Sequence, residues 1–209
     1  GLRPRSIEDI TAVIALYRPG PMESIPRFLA CSAHPERITY QHPLLEPILS
    51  VTYGCIVYQE QVIQIFQQLA GYTLGQADML RRAMSKKKHA VMEAEREHFV
   101  HGCTDPGNEC PGCVANGISE KVANEIYDEM SSFASYAFNK SHAACYAYVP
   151  FQTDYLKCHY PSEFMAALLT SVLDNTDKVI EYSGECARLG IKVCLLYTSP
   201  SPRDVEESR

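Results

Sequence analysis

The segment QEQVIQIFQQLA, residues 59–70, decides the fold of this chain. Apolar residues recur in it at intervals of three and four positions, which places them on one side of an α-helix. That side consists of Val62, Ile65, Phe66 and Leu69. The residues immediately before it, GCIVY at 54–58, form the one stretch that is predicted to be a strand. A strand followed by a helix with a buried apolar side predicts a core at this point of the chain.

Further helices are predicted where a capping residue precedes a helical segment. Ser6, followed three positions later by Asp9, predicts the start of the first helix, which Pro19-Gly20-Pro21 ends. The other predicted helices run over 23–31, a stretch after Pro43, 59–70, a stretch after Thr73, 87–101, 120–134, 142–158, 162–172 and 177–189, with Ser119, Ser141 and Thr176 as N-caps. The fold class is therefore mainly α, with many helices and one or two short strands.

One residue conflicts with this pattern. Pro150 lies within the predicted helix 142–158, where a proline removes a backbone hydrogen bond and costs ~3 kcal/mol. Either a kinked helix or an error in the sequence is expected at this position.

Composition narrows the class of protein. The 209 residues are 46% hydrophobic, which suffices for one sizeable core or two small ones. No apolar run approaches the ~20 residues that span a bilayer, and the amino end carries no signal-peptide pattern. Nine cysteines at irregular spacing do not indicate a disulfide framework and suit a reducing compartment. We therefore expect a cytoplasmic protein with no membrane partner.

Positive charge is concentrated in MLRRAMSKKK, residues 79–88. Five cations occupy the eight positions from 81 to 88 with no acid among them, in a chain whose net charge is −6. The adjacent guanidinium groups of Arg81 and Arg82 match the non-bridging oxygens of a phosphate chain, and the lysines add point charge. This pattern favours an anion-binding site. A solvated helix end, where the helix dipole favours cations, is the simpler interpretation and stays open.

Two shorter motifs carry candidate binding residues. In FNKSH, residues 138–142, Lys140 and His142 stand where a loop becomes a helix, and the free amides of such a helix start favour an anion. A capped helix with a solvent-exposed histidine is the alternative. In YRPGP, residues 17–21, the proline and glycine act as a helix stop, and Arg18 is the candidate for a phosphate or template contact.

The group YQEQ, residues 58–61, places donors and acceptors at the junction of the predicted strand and helix. Glu60 by itself could act as a general base. We favour a structural role, in which this group supports the arginines through a charge-assisted pair.

A cysteine-rich loop is the basis of a rival interpretation. Cys103, Cys110 and Cys113, together with His101 or His98, could supply four tetrahedral zinc ligands. A single Cys-x-x-Cys with irregular partners is far less specific than a paired set, so an exposed loop is favoured. A small zinc-stabilised interaction module and a non-catalytic phosphate- or nucleotide-binding helical module are the two alternative functions.

Five segments, in the same order and at about the same spacing, resemble the alpha subunit of bacterial DNA polymerase III, the C-family replicative polymerase. They are ALYRPGP (15–21), GCIVYQEQV (54–62), AGYTLG (70–75), the Arg-Arg/Lys-Lys-Lys run (81–88) and FNKSHAA (138–144). The similarity extends from about Ile7 to Val193. Ser85 stands where many members have glycine, a departure that a helix tolerates.

The resemblance implies a fragment of a DNA-directed DNA polymerase, a nucleotidyltransferase of DNA replication. In that family this stretch follows the palm and forms much of the fingers, which close over the incoming deoxynucleoside triphosphate. The palm holds two magnesium ions on three aspartates, but its sequence is not here and no Asp-x-Asp pair occurs in the chain. Magnesium is therefore expected as a cofactor of the absent palm. The isolated fragment is predicted to be inactive, without catalytic or metal-binding residues of its own.

The resemblance also implies roles for the cationic residues. Nucleotide binding is expected from Arg81, Arg82, Lys86, Lys140, Ser141 and His142. DNA contacts are expected from Arg18, Lys87 and Lys88. The expected partners are primer–template DNA, deoxynucleoside triphosphates, the remainder of the polymerase subunit and other replicase subunits. Since the net charge is acidic, most duplex DNA is expected to be held outside this region.

The carboxyl end departs from the family pattern. From residue 194 the chain reads CLLYTSPSPRD, where a proline-rich continuation is expected. This string resembles a translated sequencing-adapter remnant, and the chain begins at Gly1 without a methionine. We therefore predict a fingers region over 1–193 and a foreign or disordered tail over 194–209, and expect both ends to be accidents of sampling.

Overall fold

The computed structural model describes residues 3–18, 21–85, 89–134 and 136–194. Within these ranges the chain forms eleven α-helices and four short 3-10 turns, and its β-pairing is confined to two isolated bridges. The helices are α1 (Ile7–Leu16), α2 (Ile25–Ala33), α3 (Glu46–Leu49), α4 (Gln59–Ala70), α5 (Leu74–Ser85), α6 (His89–His101), α7 (Gly112–Ala115), α8 (Glu120–Ala134), α9 (Lys140–His159), α10 (Pro161–Ser171) and α11 (Thr176–Arg188). The mainly α class predicted from the sequence is confirmed.

The chain divides into two compact units, residues 1–148 and 149–209. The division falls inside the range 1–193 that the sequence predicts to be a fingers region, and that assignment stays a prediction. Of the predicted tail, 194–209, only Cys194 lies within the described residues.

The core of the first unit is built around α4, whose limits are those predicted from residues 59–70. Its predicted apolar side is completely buried. The ring of Phe66 meets the rings of Tyr72, Phe99 and Tyr127 edge-on, at centroid distances of 5.4, 5.4 and 6.5 Å. Because these rings come from the segment after α4, from α6 and from α8, Phe66 joins the later elements of the unit to its central helix.

The predicted strand at 54–58 is wrong. The segment is extended, but it pairs at one residue, where Tyr58 faces Phe138 in a parallel bridge. Its side chains alternate between two clusters: Ile56 belongs to the core around α4, whereas Cys55 and Val57 belong to a smaller cluster with α1. The partner of Tyr58 lies in the short connection between α8 and α9, so the pairing cannot extend into a ladder.

The start of α1 follows its local capping signal. The Asp9 amide donates to Ser6 Oγ at 3.3 Å, and the Ser6 amide donates to Asp9 Oδ2 at 3.2 Å, which confirms the predicted capping box. The helix ends at Leu16. The predicted stop at Pro19 and Gly20 lies outside the described residues.

Two of the predicted N-caps are wrong. Asn139 caps α9 in place of Ser141, with its Oδ1 accepting from the amide of residue 142 at 2.8 Å. Asn175 caps α11 in place of Thr176, with its Oδ1 accepting from the amide of residue 178 at 3.1 Å. In both cases an asparagine shortly before the predicted cap is an equally good acceptor, and the helix begins earlier.

Helix α9 contains Pro150 in its interior. The helix continues beyond it, so the proline removes one backbone hydrogen bond without ending the helix. Thr153 donates its hydroxyl to the carbonyl oxygens of Val149 and Pro150 at 3.1 and 3.0 Å. Helix α9 therefore runs through this residue.

The second unit contains the end of α9 together with α10 and α11. Met165 and Cys186 are buried, and Lys157 pairs with Glu185 at 2.7 Å. Large apolar side chains of α9 are exposed instead, among them Phe151 and Tyr155. Nowhere in the described part of the chain is a helix both long and apolar enough to cross a membrane.

Candidate functional site

The connecting segment, residues 136–139 between α8 and α9, lies next to several predicted binding residues. Arg18 reaches it from the end of α1. The guanidinium of Arg18 lies 4.5 Å from the centroid of the Phe138 ring, and its Nη2 donates to the carbonyl oxygen of Tyr136. Its Nε donates to the carbonyl oxygen of Ala15 at 3.1 Å. Partial burial lowers the pKa of Arg18, and the side chain is engaged within the protein.

Gln59, the first residue of α4, joins the connecting segment to α5. Its amide nitrogen Nε2 donates to the carbonyl oxygen of Ala137 at 3.0 Å, and its backbone nitrogen donates to that of Phe138 at 2.9 Å. Its Oε1 accepts from Arg81 Nη1 at 3.2 Å. Of the two arginines that the YQEQ group was predicted to support, Arg81 is the one that Gln59 contacts.

Arg81 and Arg82 share one counter-ion, Asp78, on the preceding turn of α5. Arg81 Nη2 lies 2.6 Å from Asp78 Oδ1, and Arg82 Nη2 lies 2.8 Å from Asp78 Oδ2. The hydrogen bond from Arg81 is the main cause of the lowered pKa of Asp78. The side chain of Arg81 is 17% exposed and that of Arg82 is 67% exposed, so only Arg82 faces solvent freely. Asp78 is not among the residues predicted from the sequence, although its spacing of three and four positions from the arginines is the signal for such a pair.

Lys140 opens α9 and is held by acids from two distant elements. Its Nζ lies 3.1 Å from Glu8 Oε2, and it stands 5.6 Å from the centroid of the Tyr58 ring. Its backbone nitrogen donates to both carboxylate oxygens of Glu60, at 3.1 and 3.0 Å. Asn139 Nδ2 donates to the same carboxylate at 3.1 Å. Glu60 therefore occupies the amino end of α9, where the sequence predicts an external anion.

The other predicted residues of α9 lie close to this point. The ring of His142 lies 5.5 Å from the ring of Phe138 and 4.8 Å from that of Tyr146, measured between centroids. Ser141 is exposed. The remaining predicted residues, Lys86, Lys87 and Lys88, lie outside the described residues.

Tyr58 provides an unusual polar atom next to this group. Its side chain is 1% exposed, and its hydroxyl has no hydrogen-bond partner among the described residues. Burial, together with the charges of Glu8 and Glu60, raises the pKa of Tyr58, so the hydroxyl stays protonated. It is a buried hydroxyl without a hydrogen-bond partner among the described residues, below the ammonium group of Lys140.

The cysteine loop does not gather the predicted zinc ligands. Cys103 and Cys110 face each other in an antiparallel bridge, and Cys110 and Cys113 belong to the core around α4. Among the described residues, which include all five candidate ligands, no group of three or more His, Cys, Asp and Glu side chains could hold a metal ion. The two ends of the loop are held together by close backbone packing instead. Gly112 has a φ of +79°, and a Cβ at this position would lie 2.3 Å from the backbone nitrogen of Gly102, which is too close for any side chain.

We expect the buried cysteines to react with alkylating reagents more slowly than the exposed ones. Burial raises the pKa of Cys55 to about 11 and that of Cys113 to about 12, which lowers their thiolate fraction at pH 8 about 100-fold or more. Cys145 and Cys158 are exposed. Alkylation with iodoacetamide at pH 8, mapped by mass spectrometry, should modify the exposed pair first and Cys55 and Cys113 only in denaturant.

Zinc provides a control for the same experiment. Added zinc should leave the alkylation rates of Cys103, Cys110 and Cys113 unchanged. Selective protection of these three residues by zinc would contradict the structural role given to the loop.

The described residues form a mainly helical protein in which Arg18 and Lys140 lie at one connection between helices and Arg81 is linked to it through Gln59. The family model for the bacterial DNA polymerase III alpha subunit finger domain matches residues 1–107. The chain is 50% identical over 200 residues to the DNA polymerase III subunit alpha of Pasteurella multocida, covering 92% of this chain and 16% of that protein. It is 48% identical over 198 residues to that of Thermus aquaticus, covering 92% and 15%, and 48% identical over 207 residues to that of Chlamydia trachomatis, covering 99% and 15%.

The chain therefore belongs to the family of bacterial DNA polymerase III alpha subunit finger domains. The resemblance carried by the five sequence segments is confirmed. The chain spans 15–16% of the length of these relatives, so it corresponds to a fragment of them.

Proposed function

We propose that this chain binds the triphosphate of an incoming deoxynucleoside triphosphate, as the fingers region of a bacterial replicative DNA polymerase. The observation that carries the proposal is that three cations distant in the sequence are linked to the connecting segment. Arg18 contacts it directly, Lys140 follows it in the chain, and Arg81 is linked to it through Gln59. Gln59 joins two of the elements involved, which fixes Arg81 relative to the start of α9.

The two arginines are suited to phosphate oxygens. Asp78 engages one nitrogen of each guanidinium with its two oxygens, and two oxygens of a phosphate chain present a similar pair of acceptors. Cations placed there would neutralise charge that develops on a pyrophosphate leaving group. Lys140 and Lys86 would add charge, with Ser141 and His142 positioning the nucleotide.

Nucleotidyl transfer itself is proposed for the complete subunit. The described residues contain no group of acids that could hold a metal ion, so they do not fit the magnesium ions of such a reaction. We place those ions in the palm, outside this chain, and expect the isolated chain to bind nucleotide without catalysis. The proposed partners of the complete subunit are primer–template DNA and the other replicase subunits, and its proposed location is the cytoplasm.

Of the residues proposed to contact DNA, Arg18 lies within the described residues, whereas Lys87 and Lys88 do not. Arg18 is engaged with Tyr136 and Phe138, so we propose that it shapes the connecting segment as well as approaching the template. Contacts of Lys87 and Lys88 with DNA stay predictions.

The test is a titration of the chain with a fluorescent deoxynucleoside triphosphate in the presence of Mg²⁺. The double variant Arg81→Ala/Arg82→Ala should bind about 10- to 100-fold more weakly, because hydrogen bonds to charged groups contribute about 1.5–3 kcal/mol. Added salt should weaken binding to the unmodified chain, since the contacts are ionic.

A matched control is available in two exposed arginines remote from this group in the sequence. Arg3→Ala/Arg37→Ala removes the same amount of charge and should leave the dissociation constant unchanged. Circular dichroism should confirm that all variants are helical. Equal binding by the chain and the Arg81/Arg82 double variant would refute the assignment of the arginines.

A further inference from the structure

Each described cation of the proposed nucleotide site is already paired with an acid. Arg81 and Arg82 are paired with Asp78 at 2.6 and 2.8 Å, and Lys140 with Glu8 at 3.1 Å. In the ligand-free chain, carboxylate oxygens therefore stand where phosphate oxygens are proposed to bind.

On the basis of the triphosphate binding proposed above, we propose that Asp78 is a specificity-determining residue that competes with phosphate for Arg81 and Arg82. The N–H groups of Arg81 Nη2 and Arg82 Nη2 that now donate to Asp78 become available to a phosphate oxygen only after the corresponding Asp78 oxygen has withdrawn. Ligand binding is therefore an exchange of one anion for another, and the Asp78 carboxylate sets the affinity and the anion preference of the site.

The hydrogen bonds of Arg81 allow Asp78 to be replaced by phosphate without loss of the position of the arginine. Arg81 is held separately by Gln59, whose Oε1 accepts from Nη1, the nitrogen that Asp78 does not use. The guanidinium of Arg81 can thus lose Asp78 and stay in place. Its Nε is buried without a hydrogen-bond partner within the described residues, so Asp78 and Gln59 leave part of its donor capacity unused.

Asp78 is free to move in this exchange. It lies on α5 three and four positions before the arginines, its side chain is 29% exposed, and it can turn toward water. Once displaced, its negative charge stays close to the bound phosphates and opposes them. Free triphosphate carries more negative charge than its magnesium complex, so Asp78 disfavours the free form more strongly.

The experiment compares the unmodified chain with Asp78→Asn, which keeps the shape of the side chain and removes its charge. Deoxyadenosine triphosphate is titrated with and without Mg²⁺, and tripolyphosphate is titrated in parallel to isolate the phosphate contribution. Asp78→Asn should bind the magnesium complex about 3- to 10-fold more tightly, with a larger gain for free triphosphate and for tripolyphosphate.

Asp128→Asn is the matched control. Asp128 lies on α8 and, like Asp78, pairs with an arginine, Arg96 of α6, at 2.5 Å; its side chain is 65% exposed, against 29% for Asp78. This variant changes the net charge equally and should leave all the dissociation constants unchanged. An equal gain in both variants would mean a general charge effect and would overturn the role of Asp78.

The remaining outcomes separate this inference from the proposed function. If the unmodified chain binds triphosphate but Asp78→Asn binds equally or more weakly, Asp78 is a positioning residue and the competition is refuted, while triphosphate binding stands. If neither protein binds and both are helical, triphosphate binding by this chain fails, and the competition fails with it.

A second measurement uses the unmodified chain and does not depend on folding of a variant. The carboxyl carbon of Asp78 is followed by NMR during a pH titration. In the free chain the hydrogen bond from Arg81 holds the pKa of Asp78 below its ordinary value. Saturation with tripolyphosphate should raise this pKa, because arginine is withdrawn and negative charge is added. An unchanged pKa at saturation would overturn the competition.

Discussion

Phe66→Ala is expected to destabilise the first unit by about 3–5 kcal/mol, the usual range for removing a phenylalanine from a packed core. The side chain is completely buried, and its ring makes three edge-on contacts with Tyr72, Phe99 and Tyr127. These rings belong to different elements, so the cavity would open where α4, α6 and α8 meet. The free energy of unfolding should be measured in urea, with circular dichroism as the signal.

Phe151→Ala provides the control for this prediction. Phe151 is exposed on α9, so removing its ring should change the free energy of unfolding by less than about 0.5 kcal/mol. A loss of less than about 1.5 kcal/mol for Phe66→Ala would mean that Phe66 does not occupy the centre of the core.

Gln61→Leu is expected to cost about 3–5 kcal/mol, although leucine is apolar and similar in size. The buried amide of Gln61 makes four hydrogen bonds. Its Oε1 accepts from the backbone nitrogens of Val57 and Tyr58, both at 2.9 Å, and its Nε2 donates to the Ile48 carbonyl oxygen and to Thr52 Oγ1 at 3.2 and 2.7 Å. Leucine would leave buried backbone groups unpaired, each at a cost of about 1–3 kcal/mol.

Hydrogen exchange can locate this effect. The amide protons of Val57 and Tyr58 should exchange faster in Gln61→Leu, because they lose their acceptor. Gln64→Leu is the control, since Gln64 lies on the same helix and is exposed. It should change neither exchange nor the free energy of unfolding appreciably. Comparable losses in the two variants would show that the penalty arises from helix α4 in general and not from the buried amide.

Gln61, which is expected to stabilise the fold, also holds the segment that carries two residues of the proposed site. By holding Val57 and Tyr58, it fixes the extended segment that leads into Gln59 and Glu60. Gln59 then binds Arg81 and the connecting segment, while Glu60 binds the start of α9. Gln61 therefore helps to fix the backbone from which Gln59 reaches Arg81 and Glu60 reaches the start of α9.

The candidate site was predictable in its residue types but not in its pairing. The cluster at Arg81 and Arg82, the FNKSH motif and Arg18 were all identified from the sequence, because unusual concentrations of charge and turn residues are visible in a linear chain. Asp78 lies before the basic run at 81–88 and is not part of that pattern, although its spacing of three and four positions from the arginines predicts the pairs. Glu8 could not have been found in this way, since it meets Lys140 only through the fold.

By itself, the sequence determined the features that depend on neighbouring residues. The apolar spacing of residues 59–70 predicted α4 and its buried side, and the Ser6–Asp9 pair predicted the start of α1, because a helix face and a capping box are complete within a few residues. Only the tertiary structure decided what depends on the approach of distant segments. It reduced the predicted strand at 54–58 to one bridge, because its partner is a short connection between helices. It also paired Arg81 with Gln59, and Lys140 with Glu8 and Glu60, because these partners are brought together by the packing of distant segments and not by spacing along the chain.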